Sequence, residues 1–265
     1  MAATQNLNDI DGQGYILDRN YLAACRLNLQ HYLWREALGF TIDPLIPVSE
    51  NADIADVACG TGLWLLDAAR LLPNAKLRGF DLDLSQAPHS NWLPSTITLE
   101  KWNIFEDIDP HWEGQFDLVH IRLLVLVLSG ETRQPFVNRL FKLLKPDMHV
   151  RKVNLAIASP ALDQLYELCN SFGRHEWTLQ IPELLAEAGF EQARLTEVGD
   201  APHFARAFNE QHMMTMEEIA EGMARLGKTE LANRTLRLIR DAHPESVNGA
   251  TLCIPRVVVV ARKPL

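Results

Sequence analysis

The stretch Asp53-Ile-Ala-Asp-Val-Ala-Cys-Gly-Thr-Gly62 decides the fold. Its first residues form a short apolar strand pattern, which leads into a loop of small residues and then into a helical pattern over 63–72. Glycine lets a backbone approach a ligand closely, and a helix N-terminus offers free N–H groups. Asp81 ends the next strand pattern, where a carboxylate can accept hydrogen bonds from a ribose diol. The sequence therefore predicts a site for a nucleotide-type cofactor.

Two kinds of cofactor loop share this layout. The dinucleotide fingerprint G-x-G-x-x-G needs its third glycine for close packing of helix and strand, but counting from Ala58 places Leu63 there. The run from Asp56 to Gly62 instead resembles the acidic-x-Gly-x-Gly-x-Gly loop of class I S-adenosylmethionine-dependent methyltransferases. Ala58 replaces the first glycine, which matters only if residue 58 needs a positive φ. A tight turn without a ligand is disfavoured, because the loop and Asp81 agree in spacing.

The composition is that of an acidic globular chain. Its 265 residues are 47% apolar, enough for a substantial core, and the net charge of −9 disfavours a nucleic-acid partner. The four cysteines have no C-x-x-C spacing, so neither a zinc site nor a disulfide framework is indicated. No signal peptide is visible and no apolar stretch is long enough to span a bilayer. We therefore expect a cytoplasmic protein with no membrane partner and no metal.

Strand and helix patterns alternate along the chain, which predicts a parallel sheet with crossover helices. Strands are predicted at 53–57, 76–81, 97–102, 116–121, 190–198 and 252–262, and helices at 19–38, 63–72, 133–144, 160–172 and 180–188. A weak helical run lies near 85–89, and a largely helical insertion at 202–242 precedes the last strand. We interpret residues 1–265 as a single domain. Residues 1–48 form a lid segment, 49–158 the cofactor-binding core, and 159–265 the substrate-side helices and closing strands.

If the loop holds S-adenosylmethionine, a set of residues becomes the predicted cofactor site. The set is Asp56, Ala58, Gly60, Gly62, Asp81, Leu82, Asn103, Ile104, His120 and Arg122. Asp56 would order the loop or contact the methionine amine, although an anion at a helix N-terminus is the alternative. Asp81 is the expected ribose ligand. The resembled family often places a polar side chain near the adenine amine after the third strand, which suggests Asn103, whereas Ile104 equally suits ordinary core.

The fourth strand carries two further candidates beyond its predicted carboxyl end. His120 could deprotonate a substrate hydroxyl, since its unperturbed pKa lies near neutrality, or it could be a packed histidine that bonds backbone. Arg122 could hold the cofactor carboxylate or pair with Asp117 or Glu131. These alternatives stay open at the level of sequence.

The N-terminal helix and a later cluster supply candidate lid residues. Asn28, His31 and Arg35 share one helix face, which would either cap the cofactor cleft or be wetted by solvent. His175 and Trp177 lie in a polar and aromatic cluster at 173–177 and are candidate substrate contacts. A zinc site is rejected there because the second histidine of H-E-x-x-H is missing.

Taken whole, the chain resembles the class I methyltransferases of fungal secondary-metabolite pathways. The resemblance rests on 21–146, with Arg26-Leu-Asn-Leu-Gln-His31 and Arg122-Leu-Leu-Val-Leu-Val127, and on 178–190, 206–216 and 254–264. It implies a Rossmann-like, seven-stranded sheet whose last strand is antiparallel, and a small-molecule acceptor. S-adenosylhomocysteine would be the product, and a homodimer or a regulatory protein partner is compatible with the acidic surface.

One segment departs from the resembled pattern. The usual Gly-Gly turn after Lys145-Pro146 is Asp147-Met148, and the acidic cluster of the fifth strand is absent from 147–158. Arg151 and Lys152 suit a sheet centre badly. Three functions follow as alternatives: O- or N-methylation of a small molecule, a methyltransferase-like pericyclase or isomerase that does not methylate, and a regulatory protein of the same fold.

Overall fold

The computed structural model describes residues 16–264 apart from 129, 145–159, 172–175, 200, 253 and 255. A parallel sheet with strand order β3-β2-β1-β4 forms its centre. The strands are β1 (Asp53–Val57), β2 (Lys76–Asp81), β3 (Ile97–Lys101) and β4 (Leu118–Ile121). The predicted α/β fold with a parallel sheet is confirmed, with these four strands close to their predicted positions.

The central strand β1 fixes where a ligand can bind. It pairs in parallel with β2 on one side and with β4 on the other, and Ile54, Ala55, Asp56 and Val57 are all buried. A central parallel strand is covered on both faces, which explains the small and apolar residues Ile54, Ala55 and Val57. The register sets Val57 beside both Phe80 and Ile121. Three strands therefore end together at one edge of the sheet.

A second, antiparallel sheet contains β5 (Glu191–Val198) and β6 (Arg256–Arg262). The resemblance implies seven strands in one sheet, whereas the described residues contain six strands in two sheets. The strand expected within 147–158 lies outside the described residues. The last strand begins at Arg256 rather than at the predicted residue 252, and it is antiparallel to its neighbour as the resemblance implies.

Seven α-helices surround the sheets in the described part of the chain. They are α1 (Tyr21–Leu38), α2 (Leu63–Leu71), α3 (Gly130–Leu143), α4 (Pro160–Ser171), α5 (Ile181–Glu187), α6 (Pro202–Arg225) and α7 (Thr229–Val247). The predicted helical insertion is two helices, because Gly227 adopts a left-handed φ of 74° between α6 and α7. The weak helical run near 85–89 is a single 3₁₀ turn, Leu84–Gln86.

Helix α1 is oriented opposite to what its apolar residues suggest. Leu22, Leu29 and Tyr32 are 59%, 38% and 42% exposed, whereas Arg26 and His31 are 3% and 2% exposed. The solvent-facing alternative is therefore wrong for His31. Polar contacts explain the orientation, since Arg26 forms a salt bridge with Glu218 of α6.

A second apolar core lies away from the central sheet. Helices α4, α6 and α7 pack around Leu165, Met216 and Met223, which are almost fully buried. Cys169 lies in the same core, with its sulfur 3.2 Å from the sulfur of Met216. Among the described residues, no helix combines the length and apolarity needed to cross a membrane.

Gly79 of β2 allows the loop after β1 and helix α2 to pack directly on the sheet. A Cβ atom at this position would lie 2.6 Å from both Leu65 Cδ1 and Leu99 Cδ2, and 3.0 Å from the Cys59 sulfur. Atoms at such distances overlap, so the side chains of both Leu65 and Leu99 would have to move within a close-packed core. Gly79 is thus required by close approach rather than by backbone conformation.

We expect Gly79→Ala to destabilise the protein by about 1–3 kcal/mol, the usual cost of overpacking a core. Urea unfolding of the two proteins would measure this difference. Gly130→Ala is the matched control, because nothing lies within 4 Å of the Cβ position of Gly130. Equal stability of the wild type and Gly79→Ala would show that the core accommodates the methyl group.

Candidate functional site

A cleft of about 1150 Å³ opens at the carboxyl ends of β1, β2 and β4. This edge is where ligands bind in open parallel sheets. The predicted cofactor residues that line the cleft are Asp56, Ala58, Gly60, Asp81, Leu82, Asn103, Ile104, His120 and Arg122. Gly62, from the same predicted set, shapes the loop but is not among the lining residues.

The loop between β1 and α2 uses a left-handed backbone three times. The φ angles are 59° at Ala58, 52° at Gly60 and 67° at Gly62. Gly62 precedes α2 and its N–H donates to the Cys59 carbonyl oxygen at 2.9 Å. Glycine adopts such angles freely, whereas an L-residue such as alanine is strained by roughly 1–2 kcal/mol. Position 58 therefore does need a positive φ, which is the condition under which replacing the first glycine matters.

We expect Ala58→Gly to stabilise the protein by about 0.5–1 kcal/mol, because relief of backbone strain exceeds the added entropy of the unfolded chain. Denaturant unfolding would measure the gain. Ala188→Gly is the control, because Ala188 has an ordinary φ of −79°. Its replacement should be destabilising. A loss of stability in Ala58→Gly would contradict the strain at position 58.

Asp81 joins the end of β2 to the loop. Its Oδ2 accepts the Gly60 N–H at 2.8 Å, and its Oδ1 accepts the Asp83 N–H at 3.2 Å. Burial raises the pKa of this carboxyl group, while the two backbone N–H groups oppose the change. A carboxylate oxygen has more than one lone-pair site, so both oxygens keep capacity for further donors from the cleft. Asp81 therefore orders the loop as well as lining the cleft.

Asp56 and His120 form a hydrogen-bonded pair across β1 and β4. The two atoms Nδ1 of His120 and Oδ1 of Asp56 are 2.7 Å apart, and Asp56 is 2% exposed. The carboxylate is an acceptor, so Nδ1 carries the proton and Nε2 keeps a lone pair. The His120 ring stacks flat on the indole of Trp64, with ring centroids 3.9 Å apart. Burial lowers the pKa of His120, with Asp56 opposing it, which favours the neutral ring.

Arg122 lies at the same end of β4 and is held by a histidine. Its Nη2 donates to Nδ1 of His31 at 2.9 Å, and its guanidinium lies 5.8 Å from the centre of the Trp34 ring. In the described part of the chain, Arg122 forms no ion pair, so the alternative pairing with Asp117 or Glu131 is wrong. Asp117 instead accepts the Asp53 N–H at 2.8 Å. Burial lowers the pKa of Arg122 to about 10, and the charges of Asp56 and Asp67 oppose this change only in part.

Asp67 of α2 accepts three hydrogen bonds, two of them from α1. Its Oδ2 lies 2.9 Å from His31 Nε2 and 3.0 Å from Arg35 Nη1, and its Oδ1 lies 2.6 Å from Arg70 Nη1. Burial raises the pKa of Asp67, but the bonds from His31 and Arg35 outweigh it and the net pKa is lowered. Asp67 is thus an ionised anchor for α1.

The other candidate lid residues have different positions. His31 lines the cleft, whereas Asn28 does not, and Arg35 lines a neighbouring cavity instead. Asn103 lines the cleft, but its amide also makes local contacts: Oδ1 accepts the Phe105 N–H at 3.1 Å and Nδ2 donates to Glu106 at 3.3 Å. Ile104 is 8% exposed and belongs to the central core as well as to the cleft wall.

Trp177 requires a correction, because it does not line the cleft. It is 8% exposed and packs in the core of the central sheet, with the Arg133 guanidinium 4.8 Å from its ring. An aromatic residue in a polar cluster was interpreted as a substrate contact, but its large apolar surface is buried against the core instead. His175 lies outside the described residues.

A second cavity of about 760 Å³ adjoins the cleft. Four residues line both spaces: His31, Trp64, His120 and Arg122. The rest of its wall is largely apolar and comes from α1, the segment after it, β4 and β6. Those apolar residues are Trp34, Leu38, Phe40, Ile42, Ile46, Leu118, Val119, Ile121, Val258 and Val260. The two spaces therefore adjoin at these four residues.

Two residues of this arrangement were missed from the sequence. Trp64 stacks on His120 and Asp67 anchors His31, and both lie in α2, three residues apart. The available signal is Asp67, which shares the largely apolar helix pattern of 63–72 with Arg70, because an ionised group on a buried face requires partners. The identity of those partners depends on tertiary structure.

Comparisons with known proteins agree with this geometry. Residues 54–147 match the family model described as a methyltransferase domain. The methyltransferase grgD of Penicillium sp is 38% identical over 124 residues, which are 44% of this chain and 42% of that protein. The N-methyltransferase tcpN of Claviceps purpurea is 37% identical over 126 residues, which are 46% of this chain and 44% of that protein. The match thus covers less than half the length of these curated relatives.

A solved structure extends the likeness of the fold over most of the chain. Phosphoethanolamine N-methyltransferase 2 of Haemonchus contortus, in complex with S-adenosyl-L-methionine, superposes with a TM-score of 0.58. The alignment covers 91% of this chain and 57% of that one, at 15% sequence identity. At this identity the likeness concerns the fold alone.

Proposed function

We propose that this chain, which carries a class I methyltransferase domain of the fungal secondary-metabolite type, transfers a methyl group from S-adenosylmethionine to a small-molecule acceptor. O- or N-methylation is the proposed outcome. The observation that carries the proposal is the cleft itself, in which the glycine loop, Asp81 and Arg122 meet at one sheet edge. In chemical character the loop suits the methionyl part of that molecule, Asp81 suits its ribose, and Arg122 suits its carboxylate.

Each part of the cofactor has a suitable partner in the cleft. The remaining lone pairs of Asp81 would accept the ribose hydroxyls, and the backbone of Ala58 and Gly60 would lie along the methionyl part. Arg122 would form a direct ion pair with the methionyl carboxylate, in addition to the electrostatic influence of Asp56 and Asp67. Ile104 and Leu82 offer apolar surface for the adenine ring, and Asn103 a polar group at its edge.

S-adenosylmethionine supplies an electrophilic methyl group on a sulfonium sulfur. The chain's own contribution is mainly positioning, because two bound reactants in near-attack geometry react far faster than free ones. His120 is the proposed general base for an acceptor that must lose a proton. Its neutral ring presents the Nε2 lone pair, and Asp56 stabilises the positive charge that the ring gains on accepting a proton.

The proposed acceptor site is the second cavity. It shares His120 with the cleft and is walled largely by aromatic and aliphatic side chains, including Trp34 and Phe40. Such a cavity suits an apolar small molecule that presents a hydroxyl or amine toward His120.

The direct test is transfer of labelled methyl groups from S-adenosylmethionine to a panel of aromatic and polyketide-like hydroxyl and amine compounds. Incorporation into any of them, lost on heat denaturation, supports the proposal. Cofactor binding without incorporation into any compound, together with conversion of an unmethylated substrate, would instead favour the pericyclase or isomerase alternative. Stable capture of a protein partner without methyl transfer would favour a regulatory role.

A further inference from the structure

A continuous set of side-chain contacts connects three elements to the cleft. Asp67 of α2 contacts His31 of α1, and His31 contacts Arg122 at the end of β4. Both contacts are made by the His31 side chain, and His31 is 2% and Asp67 6% exposed. His31 is thus the only residue in the described part of the chain that hydrogen-bonds to Arg122.

The hydrogen-bonding capacity of imidazole determines how this set is arranged. Arg122 has donors only, so His31 Nδ1 must be the acceptor and must carry no proton. His31 Nε2 must then carry the proton, which it donates to the Asp67 carboxylate. Burial, followed by the positive charge of Arg122, lowers the pKa of His31, which keeps the ring neutral. Asp67 therefore selects the tautomer that Arg122 needs.

The charges around the set leave Arg122 available to an anion. The charges of Asp56 and Asp67 both act on Arg122, but Asp56 is hydrogen-bonded to His120, and Asp67 is engaged by Arg35 and Arg70 in addition to His31. A neutral histidine orients the Arg122 guanidinium without neutralising it, so the cation stays free for a ligand while its position is fixed. An aspartate in the place of His31 would neutralise the cation instead.

We propose that His31, fixed by Asp67, is a positioning residue that holds Arg122 ready for the carboxylate of the bound cofactor. This inference rests on the proposed function of the cleft. It goes further, because cofactor binding would then depend on the position of α1, which carries His31. It also gives a reason why α1 turns its polar face inward and leaves Leu22 and Tyr32 exposed.

The test compares two ligands, one of which lacks the amino-acid end that includes the group Arg122 is proposed to bind. S-adenosylhomocysteine carries the amino-acid carboxylate and amine, whereas 5′-methylthioadenosine has the same nucleoside and lacks both. Calorimetric titration of His31→Phe, which keeps a ring but has neither nitrogen, should show about a 10-fold or greater loss of affinity for S-adenosylhomocysteine. Affinity for 5′-methylthioadenosine should stay within about twofold of the wild type.

Two further variants keep the result interpretable. His31→Asn keeps an acceptor near the Nδ1 position but loses reach to Asp67, so it should fold and show a smaller loss for S-adenosylhomocysteine. Glu218→Gln is the matched control, because it weakens the tie between α1 and α6 without touching Arg122. It should leave both affinities unchanged.

The outcomes separate this inference from the function on which it rests. Equal losses for both ligands, or the same loss in Glu218→Gln, would show that His31 only supports the seating of α1. Unchanged affinity of both His31 variants for S-adenosylhomocysteine would overturn the positioning role alone. Failure of the wild-type protein to bind either ligand would overturn the cofactor site itself, and with it this inference.

Discussion

Asp81→Ala should weaken the binding of S-adenosylmethionine by about 1.5–3 kcal/mol, which is roughly 10- to 100-fold in the dissociation constant. The substitution removes hydrogen bonds between a carboxylate and the proposed ribose hydroxyls. It also removes the acceptor for the Gly60 N–H, which orders the loop that the methionyl part would contact. Calorimetric titration of the two proteins measures the difference.

Asp109→Ala is the matched control for this substitution. Asp109 also caps a turn through a backbone N–H, that of His111 at 2.9 Å, but it lies outside the cleft. Its replacement should leave the dissociation constant unchanged. An Asp81→Ala protein that binds as tightly as the wild type would show that the ribose contact is wrongly assigned.

His120→Phe should lower the rate of methyl transfer to a hydroxyl or amine acceptor by about 10²–10⁴-fold, the usual contribution of a general base. Phenylalanine preserves the stack on Trp64 but removes both nitrogens, so the Asp56 carboxylate loses its partner as well. Cofactor affinity should change far less than the rate. The measurement pairs initial rates on an acceptor found by labelled methyl transfer with titration of S-adenosylhomocysteine.

His111→Phe serves as the control, because the His111 side chain is 91% exposed and remote from the cleft. A His120→Phe enzyme with wild-type turnover on a protonated acceptor would contradict the general-base role. Such a result would leave catalysis to positioning alone, which is sufficient where the acceptor atom has no proton to lose.

The strand, loop and helix at the centre of the fold can be predicted from the sequence, because burial and backbone conformation both restrict which residues occur there. A buried parallel strand must be apolar on both faces, and its loop must contain residues that tolerate positive φ. The strand at Asp53–Val57 therefore has the predicted bounds, and most residues predicted from the loop and from Asp81 line one cleft. The strain at Ala58 depends on its φ angle, which the spacing of residues in the sequence does not determine.

Other features depend on contacts between distant parts of the chain. The periodicity of α1 identifies a helix but does not say which face is buried, and here ion pairs with Glu218 and Asp67 turn the polar face inward. The pairing of His120 with Asp56 joins residues that are 64 positions apart, so no local pattern indicates it. Trp177 was misassigned for the same reason, since burial in a core depends on what packs against the side chain.

Calorimetric titration of the purified protein with S-adenosylmethionine and S-adenosylhomocysteine tests the cofactor site most directly. We expect both to bind with micromolar dissociation constants and a stoichiometry of about one per chain, as a single cleft of this kind requires. Absence of binding to a sample that unfolds cooperatively, and is therefore folded at the start, would contradict a cofactor site at this cleft.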